Sequence, residues 1–139
     1  MRLAPGEVFA ETSRERSSFI SPNISLSMEI DIALDRLRFL NDEQRRYLTD
    51  GTMVVTPGIL ALPEDDQTEI FERVRTFDDF PPDSDPYCEH DFGAFEHNGH
   101  RVCWKIEYFD RDGGTYGSPD PADPYLTKRV LKIMLAGEY

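Results

Sequence analysis

Asn98-Gly99, set between two alternating runs, constrains this chain more than any other pair of its residues. Both central residues of a type I′ turn need positive φ, and Asn-Gly meets that need at the lowest steric cost. A two-residue turn also fixes the register of its flanking strands. His97 must face His100, Glu96 face Arg101, Phe95 face Val102, Ala94 face Cys103, Gly93 face Trp104 and Phe92 face Lys105. Phe95, Val102, Trp104, Ile106 and Tyr108 then share one sheet face, apolar enough to meet a core, and Gly93 leaves room for the Trp104 indole. The opposite face is expected to pair Glu96 with Arg101, Phe92 with Lys105, and His90 with Glu107.

The rest of the chain reads as short elements around that hairpin. Ile30, Leu34 and Leu37 recur at helical spacing, and Asn41-Asp42-Glu43-Gln44 has the pattern of a capped restart, which predicts two helices over about 29–40 and 42–49. Asp50-Gly51 is a turn, and residues 53–56 form a short β-rich run ended by Pro57-Gly58. After Pro63, the stripe Ile70, Phe71, Val74 and Phe77 predicts a helix over about 64–77, with Glu64, Asp65 and Asp66 where the helix dipole favours anions. Residues 78–86 have loop composition, and so do 110–121. Asp123-Pro124 predicts a last helix to about 138, capped by Asp and striped by Leu126, Val130, Ile133, Met134 and Gly137. The fold expected is α+β: a small antiparallel sheet on the central hairpin, packed against two or three helices. A chain of 139 residues with 9 Phe, 6 Tyr and 1 Trp can bury a core of its own; roughly 68% of the unfolded surface is removed at this size. We expect one domain over 28–139, preceded by a Ser-rich flexible arm over 1–27.

The net charge of −12 is concentrated in one stretch. Residues 64–123 carry 17 acids against 5 bases, whereas the two ends nearly cancel. A surface of this kind repels nucleic acid and attracts basic protein surfaces. The densest part, Asp78, Asp79, Asp83, Asp85 and Glu89 with Phe80 among them, is the candidate partner-binding surface. No apolar run approaches 18 residues and no cationic start precedes an apolar stretch, so neither a membrane span nor a secretory signal is expected. A cytoplasmic setting follows, with Cys88 and Cys103 as free thiols.

All three histidines and both cysteines lie between residues 88 and 103, but strand geometry separates them. At 3.3 Å per residue, Cys88 stands roughly 20 Å from the level of Cys103, and His90 roughly 23 Å from His97. The hairpin therefore gathers no tetrahedral zinc set and no disulfide, and His97 and His100 read as solvent-exposed caps of the turn. No metal or other cofactor is expected. His90, Lys105 and Glu107, with Asp91 nearby, form the alternative catalytic set, in which a His beside a carboxylate serves as base and Lys holds an anion. The plainer reading of the same residues is a surface charge ladder. Asp91 projects from the Trp104 side and needs hydrogen-bond partners there.

Asp85-Pro86-Tyr87-Cys88-Glu89-His90-Asp91-Phe92-Gly93, Trp104-Lys105-Ile106-Glu107-Tyr108-Phe109-Asp110, Ser118-Pro119-Asp120-Pro121-Ala122-Asp123-Pro124 and the closing Thr127 to Tyr139 resemble the signatures of a small bacterial family catalogued as domain of unknown function 3768. With Thr56-Pro57-Gly58 the resemblance spans roughly residues 30–139. Cys88, Glu107, Phe109 and Lys132 stand where that pattern usually has Gly, Asp, Tyr and Thr. The resemblance implies a gene carried on plasmids and phage-related elements, near genes that counter host defence. Charge and resemblance together lead to the expectation of a non-enzymatic acidic protein that binds the basic surface of a nucleic-acid-handling host defence complex, of anti-CRISPR or anti-restriction type, by nucleic-acid mimicry. The alternative is a small enzyme, such as a hydrolase, working from the hairpin; a third reading is a homodimer through Trp104 or the last helix.

Overall fold

The computed structural model describes residues 22–139, and side chains from residue 27. The expected arm over 1–27 therefore lies mostly outside the described residues. The chain divides between Ala33 and Leu34, and apart from the start of the first helix all that follows concerns Leu34–Tyr139.

Helix α1 (Pro22–Tyr47) runs through the restart predicted at Asn41. Asn41 is buried and its side chain is committed elsewhere: it donates to Glu89 O at 3.0 Å and to the Tyr108 hydroxyl at 2.8 Å, and accepts from Arg129 Nε at 2.8 Å. Gln44 likewise donates to Thr52 O and accepts from the Asp50 amide. Two capping residues are thus used as tertiary anchors, and the helix has no reason to stop until Leu48 turns left-handed at φ 52°.

Strand β1 (Met53–Val55) leads into one turn of helix, α2 (Pro57–Leu60), and then α3 (Glu64–Arg75). The α3 stripe behaves as its spacing requires, with Ile70 and Val74 buried and Phe71 and Phe77 packed beside them. Strands β2 (Phe92–His97) and β3 (His100–Asp110) form the hairpin with the expected register at all six pairs, from Phe92 with Lys105 to His97 with His100. Asn98 and Gly99 both adopt positive φ. A Cβ on Gly93 would sit 2.3 Å from Trp104 Nε1, so the indole does occupy the space that glycine leaves.

The predicted last helix is instead a strand, β4 (Thr127–Leu135), followed by a short 3-10 turn (Ala136–Glu138). Asp123 does hold a turn, accepting the Tyr125 amide at 2.9 Å, but the chain then extends. β4 pairs antiparallel with β3 and parallel with β1, giving one open sheet in the order β1-β4-β3-β2. A strand inside a sheet covered on both faces is apolar on both faces, and its residues then satisfy a helical stripe by coincidence. Only the β1–β4 pairing is parallel, so the sheet is mixed rather than purely antiparallel. With three helices it remains an α+β fold. The core lies between α2, α3 and the sheet face that carries Phe95, Val102, Trp104, Ile106, Leu131 and Ile133.

Candidate functional site

The segment between α3 and β2 is too rich in Pro and Asp to pair as a strand, and two aromatic anchors pin it down. Phe77 and Phe80 meet edge to face at 5.2 Å, and each packs against Trp104, at 5.5 and 6.1 Å between ring centroids. Phe80, expected as a partner contact, is half-buried and stacks flat on His90 at 3.8 Å. Asp85 is only 6% exposed, and its carboxylate accepts the Glu89 amide at 2.9 Å and the His90 amide at 3.3 Å. These bonds hold Cys88 and His90 at φ 57° and 56°, backbone that side chains other than Gly adopt only at a cost.

Of the six expected partner-binding residues, then, Asp78, Asp79 and Asp83 are exposed and have no cationic partner among the described residues. Asp85 and Phe80 serve the loop itself. Glu89 is half-buried and faces the Asp91 carboxyl; burial first, and then the Asp91 charge, push its carboxyl above the usual range. Burial raises Asp91 as well. Its carboxyl finds its partners in the Glu89 carboxyl and in its own backbone amide, while its carbonyl accepts the Ile106 amide at 2.8 Å and extends the ladder by one residue. Asp78 and Asp79 stand on the rim of a cleft of about 230 Å³ whose floor includes Phe77, Ala94 and Phe95.

The alternative catalytic residues are divided between the two faces of the sheet. β2 begins at Phe92, so His90 is outside the ladder and its ring turns to the Trp104 side, with Nδ1 2.9 Å from Asp42 and Nε2 3.8 Å from Asp85. Neither ring nitrogen is left facing open space. Lys105 and Glu107 alternate with Trp104 and Ile106 and so occupy the other face, where they pair at 3.1 Å, with Lys105 over the Tyr139 ring. The bond to Glu107 raises the Lys105 pKa. Glu107 thus pairs with Lys105 and not with His90, while the expected Glu96–Arg101 pair is present at 3.5 Å.

Residues outside the sequence-derived set do most to organise this region. Arg45 is fully buried, bridges to Asp42 at 2.9 Å, and lies over both the Phe80 and Trp104 rings at 5.4 and 5.3 Å. Its Nε and Nη2 and the Trp104 Nε1 have no hydrogen-bond partner, so beyond the Asp42 carboxylate the aromatic faces supply the compensation the cation receives. Burial pulls the Arg45 pKa below its ordinary value. Asn41, Tyr108 and Arg129 form a second buried polar group behind it, and burial pushes the Tyr108 hydroxyl up. No local spacing marks Asp42, Arg45 or Asn41, because they come from a helix about fifty residues upstream of the loop they hold.

Among the described residues no helix is long and apolar enough to cross a membrane. Cys88 is exposed and Cys103 buried, and both are free thiols. No curated protein and no solved structure matches the chain. The model of the family described as a protein of unknown function (DUF3768) matches residues 55–138, more than half of the chain and a span that holds the hairpin, the loops around it and β4, and the protein belongs to that family.

Proposed function

We propose that this protein acts by binding, not by catalysis, and that Asp78, Asp79 and Asp83 present a negative surface to a basic partner. The observation that carries the reading is that these three carboxylates are exposed and unpaired on one aromatic-anchored loop, whereas Glu72, Glu96 and Glu107 nearby each have a cation. Unpaired like charges at short spacing steer association and compete with phosphates for Arg and Lys. Asp78 and Asp79 border a cleft lined by Phe77, Ala94 and Arg73, whose guanidinium lies over the Phe95 ring at 4.2 Å and donates to the Glu96 carbonyl, leaving the two carboxylates to an incoming cation. The partner class is a cytoplasmic nucleic-acid-handling complex of host defence, CRISPR or restriction, which the protein inhibits by occupying its nucleic-acid groove.

Two measurements test this. An Arg-rich peptide titrated calorimetrically at low and high ionic strength should bind the parent in a salt-sensitive way, and Asp78→Lys/Asp79→Lys/Asp83→Lys should lose that binding with an unchanged circular dichroism spectrum. In cells, expression of the parent should protect an incoming plasmid from restriction or CRISPR interference, and the triple reversal should not. Equal behaviour of parent and variant in both assays defeats the proposal. Loss of an activity in His90→Ala with the fold intact would favour the enzyme reading instead.

A further inference from the structure

The hairpin end that the sequence reads as a pair of solvent-exposed caps is half buried: His97 is 7% exposed, and only His100 is open. What covers His97 is helix α3. Asp66 and Glu69 are three residues apart and share one side of that helix. Ile70 and Val74 seat the helix on the sheet and so bring that side against the turn. His97 Nε2 lies 3.0 Å from Asp66 Oδ1 and 3.4 Å from Glu69 Oε1, and all three ligand atoms fall within 4.8 Å of one another.

We infer that Asp66, Glu69 and His97 form a binding site for a divalent transition-metal cation of the Zn²⁺ class, with His100 completing the shell. This inference does not rest on the binding function proposed above. An imidazole Nε2 carries at most one hydrogen, so it satisfies one carboxylate and leaves the other facing a nitrogen with nothing to give. Asn98 Nδ2 donates to Asp66 Oδ1 at 2.8 Å, which helps Asp66 but does nothing for Glu69. The cluster sets two carboxylates against a single imidazole nitrogen, and a divalent cation would ligate all three groups at once. The two edges that meet at His97 are close to the spacing such an ion requires. Ligand atoms held about 2.0–2.1 Å from a tetrahedral Zn²⁺ lie roughly 3.4 Å apart, the His97 to Glu69 separation, and Asp66 needs to open by only a few tenths of an ångström.

His100 is directly opposite His97 in the register, so the two side chains leave the same face of the hairpin. It is exposed and has no hydrogen-bond or ion-pair partner among the described residues, which leaves its ring free to turn toward the cluster. Imidazole with carboxylate selects Zn²⁺ and its neighbours in the transition series over Mg²⁺ or Ca²⁺, which prefer all-oxygen sets. Glu69, whose side chain is 64% exposed, leaves an entry path. A cation here would clip the first half of α3 to the tip of the hairpin, adding to the Arg73 bond from the second half of the helix to the Glu96 carbonyl at 2.6 Å.

The test uses the full chain with Cys88→Ser, which removes the exposed Cys88 sulfur as a competing ligand. Titration with Co²⁺ should give the visible absorption of a tetrahedral site at one equivalent, Zn²⁺ should displace it, and Zn²⁺ should raise the thermal midpoint in a concentration-dependent way. Glu69→Gln, at an exposed position that carries no packing, should weaken binding at least about tenfold with the apo midpoint unchanged, and His97→Gln should abolish it. His100→Ala should weaken it by a smaller factor and lose the tetrahedral spectrum. Absence of Co²⁺ absorption together with a midpoint indifferent to Zn²⁺ would overturn the site. So would binding that survives both Glu69→Gln and His97→Gln, since the ion would then be held elsewhere.

Discussion

The loop before the hairpin carries six acids in residues 76–91 against three in residues 92–110 of the hairpin, and the two regions treat them in opposite ways. In the hairpin, Glu96 meets Arg101 across the strands and Glu107 meets Lys105 along one face. In the loop, Asp78, Asp79 and Asp83 face solvent alone, while Asp85, Glu89 and Asp91 turn inward. The difference is one of lattice. A ladder places side chains at fixed intervals on fixed faces, so a complementary charge two residues away or directly opposite is brought within reach without further help. A loop has no such lattice, and its acids are sorted by whatever tertiary contacts anchor it. Here Phe77, Phe80 and the Asp85 carboxylate do the anchoring, and the carboxylates not used for that are left free.

The largest effect should come from breaking the hairpin side of the contrast. Gly93→Ala drives a Cβ to within 2.3 Å of the Trp104 indole and 2.8 Å of Phe77, groups at the centre of the core. Overpacking of this kind costs about 1–3 kcal/mol, and we expect the upper end because the indole is fully buried. The urea midpoint should fall accordingly; an unchanged midpoint would show that Trp104 repacks freely.

A smaller effect, of opposite sign, should come from relieving the loop. Cys88 sits at φ 57° with its side chain exposed, and Gly there removes the left-handed penalty of about 1–2 kcal/mol at the expense of a more flexible unfolded chain. Cys88→Gly should therefore raise the midpoint by the equivalent of about 1 kcal/mol. A fall would mean that the thiol makes a contact worth more than the strain.

The smallest effect concerns the inward acids. The folded-state pKa of Glu89 is raised, so the folded protein holds a proton that the unfolded chain has released. Stability is then lost as pH rises from the ordinary carboxylate pKa through the folded value, and the loss is complete above it. Glu89→Gln should be more stable than the parent at neutral pH and equal to it in acid, as read from denaturation midpoints across that range. A gain that persists unchanged in acid would assign it to packing and not to charge.

The elements that could be read from the sequence are those whose cause is local. Asn98-Gly99 dictates its own turn, and with it six cross-strand pairs and the face assignment of Trp104; Ile70 and Val74 mark the buried side of α3. Asn41 has the chemistry of a helix cap and was used as a buried hub, because Tyr108, Arg129 and the Glu89 carbonyl reach it from the far end of the chain. β4 was mistaken for a helix because a strand buried on both sides loses the alternation that identifies it. His90 left the ladder because two amides of its loop bond to Asp85.

By itself, then, the amino-acid order determined the turn, the strand register, the apolar face and the excess of negative charge, since each depends on neighbours within a few positions. Only the tertiary structure decided which carboxylates remain free, which imidazole is buried against α3 and which cation lies between Phe80 and Trp104. Burial and charge pairing depend on residues tens of positions apart, and their free energy is settled only when the elements have packed.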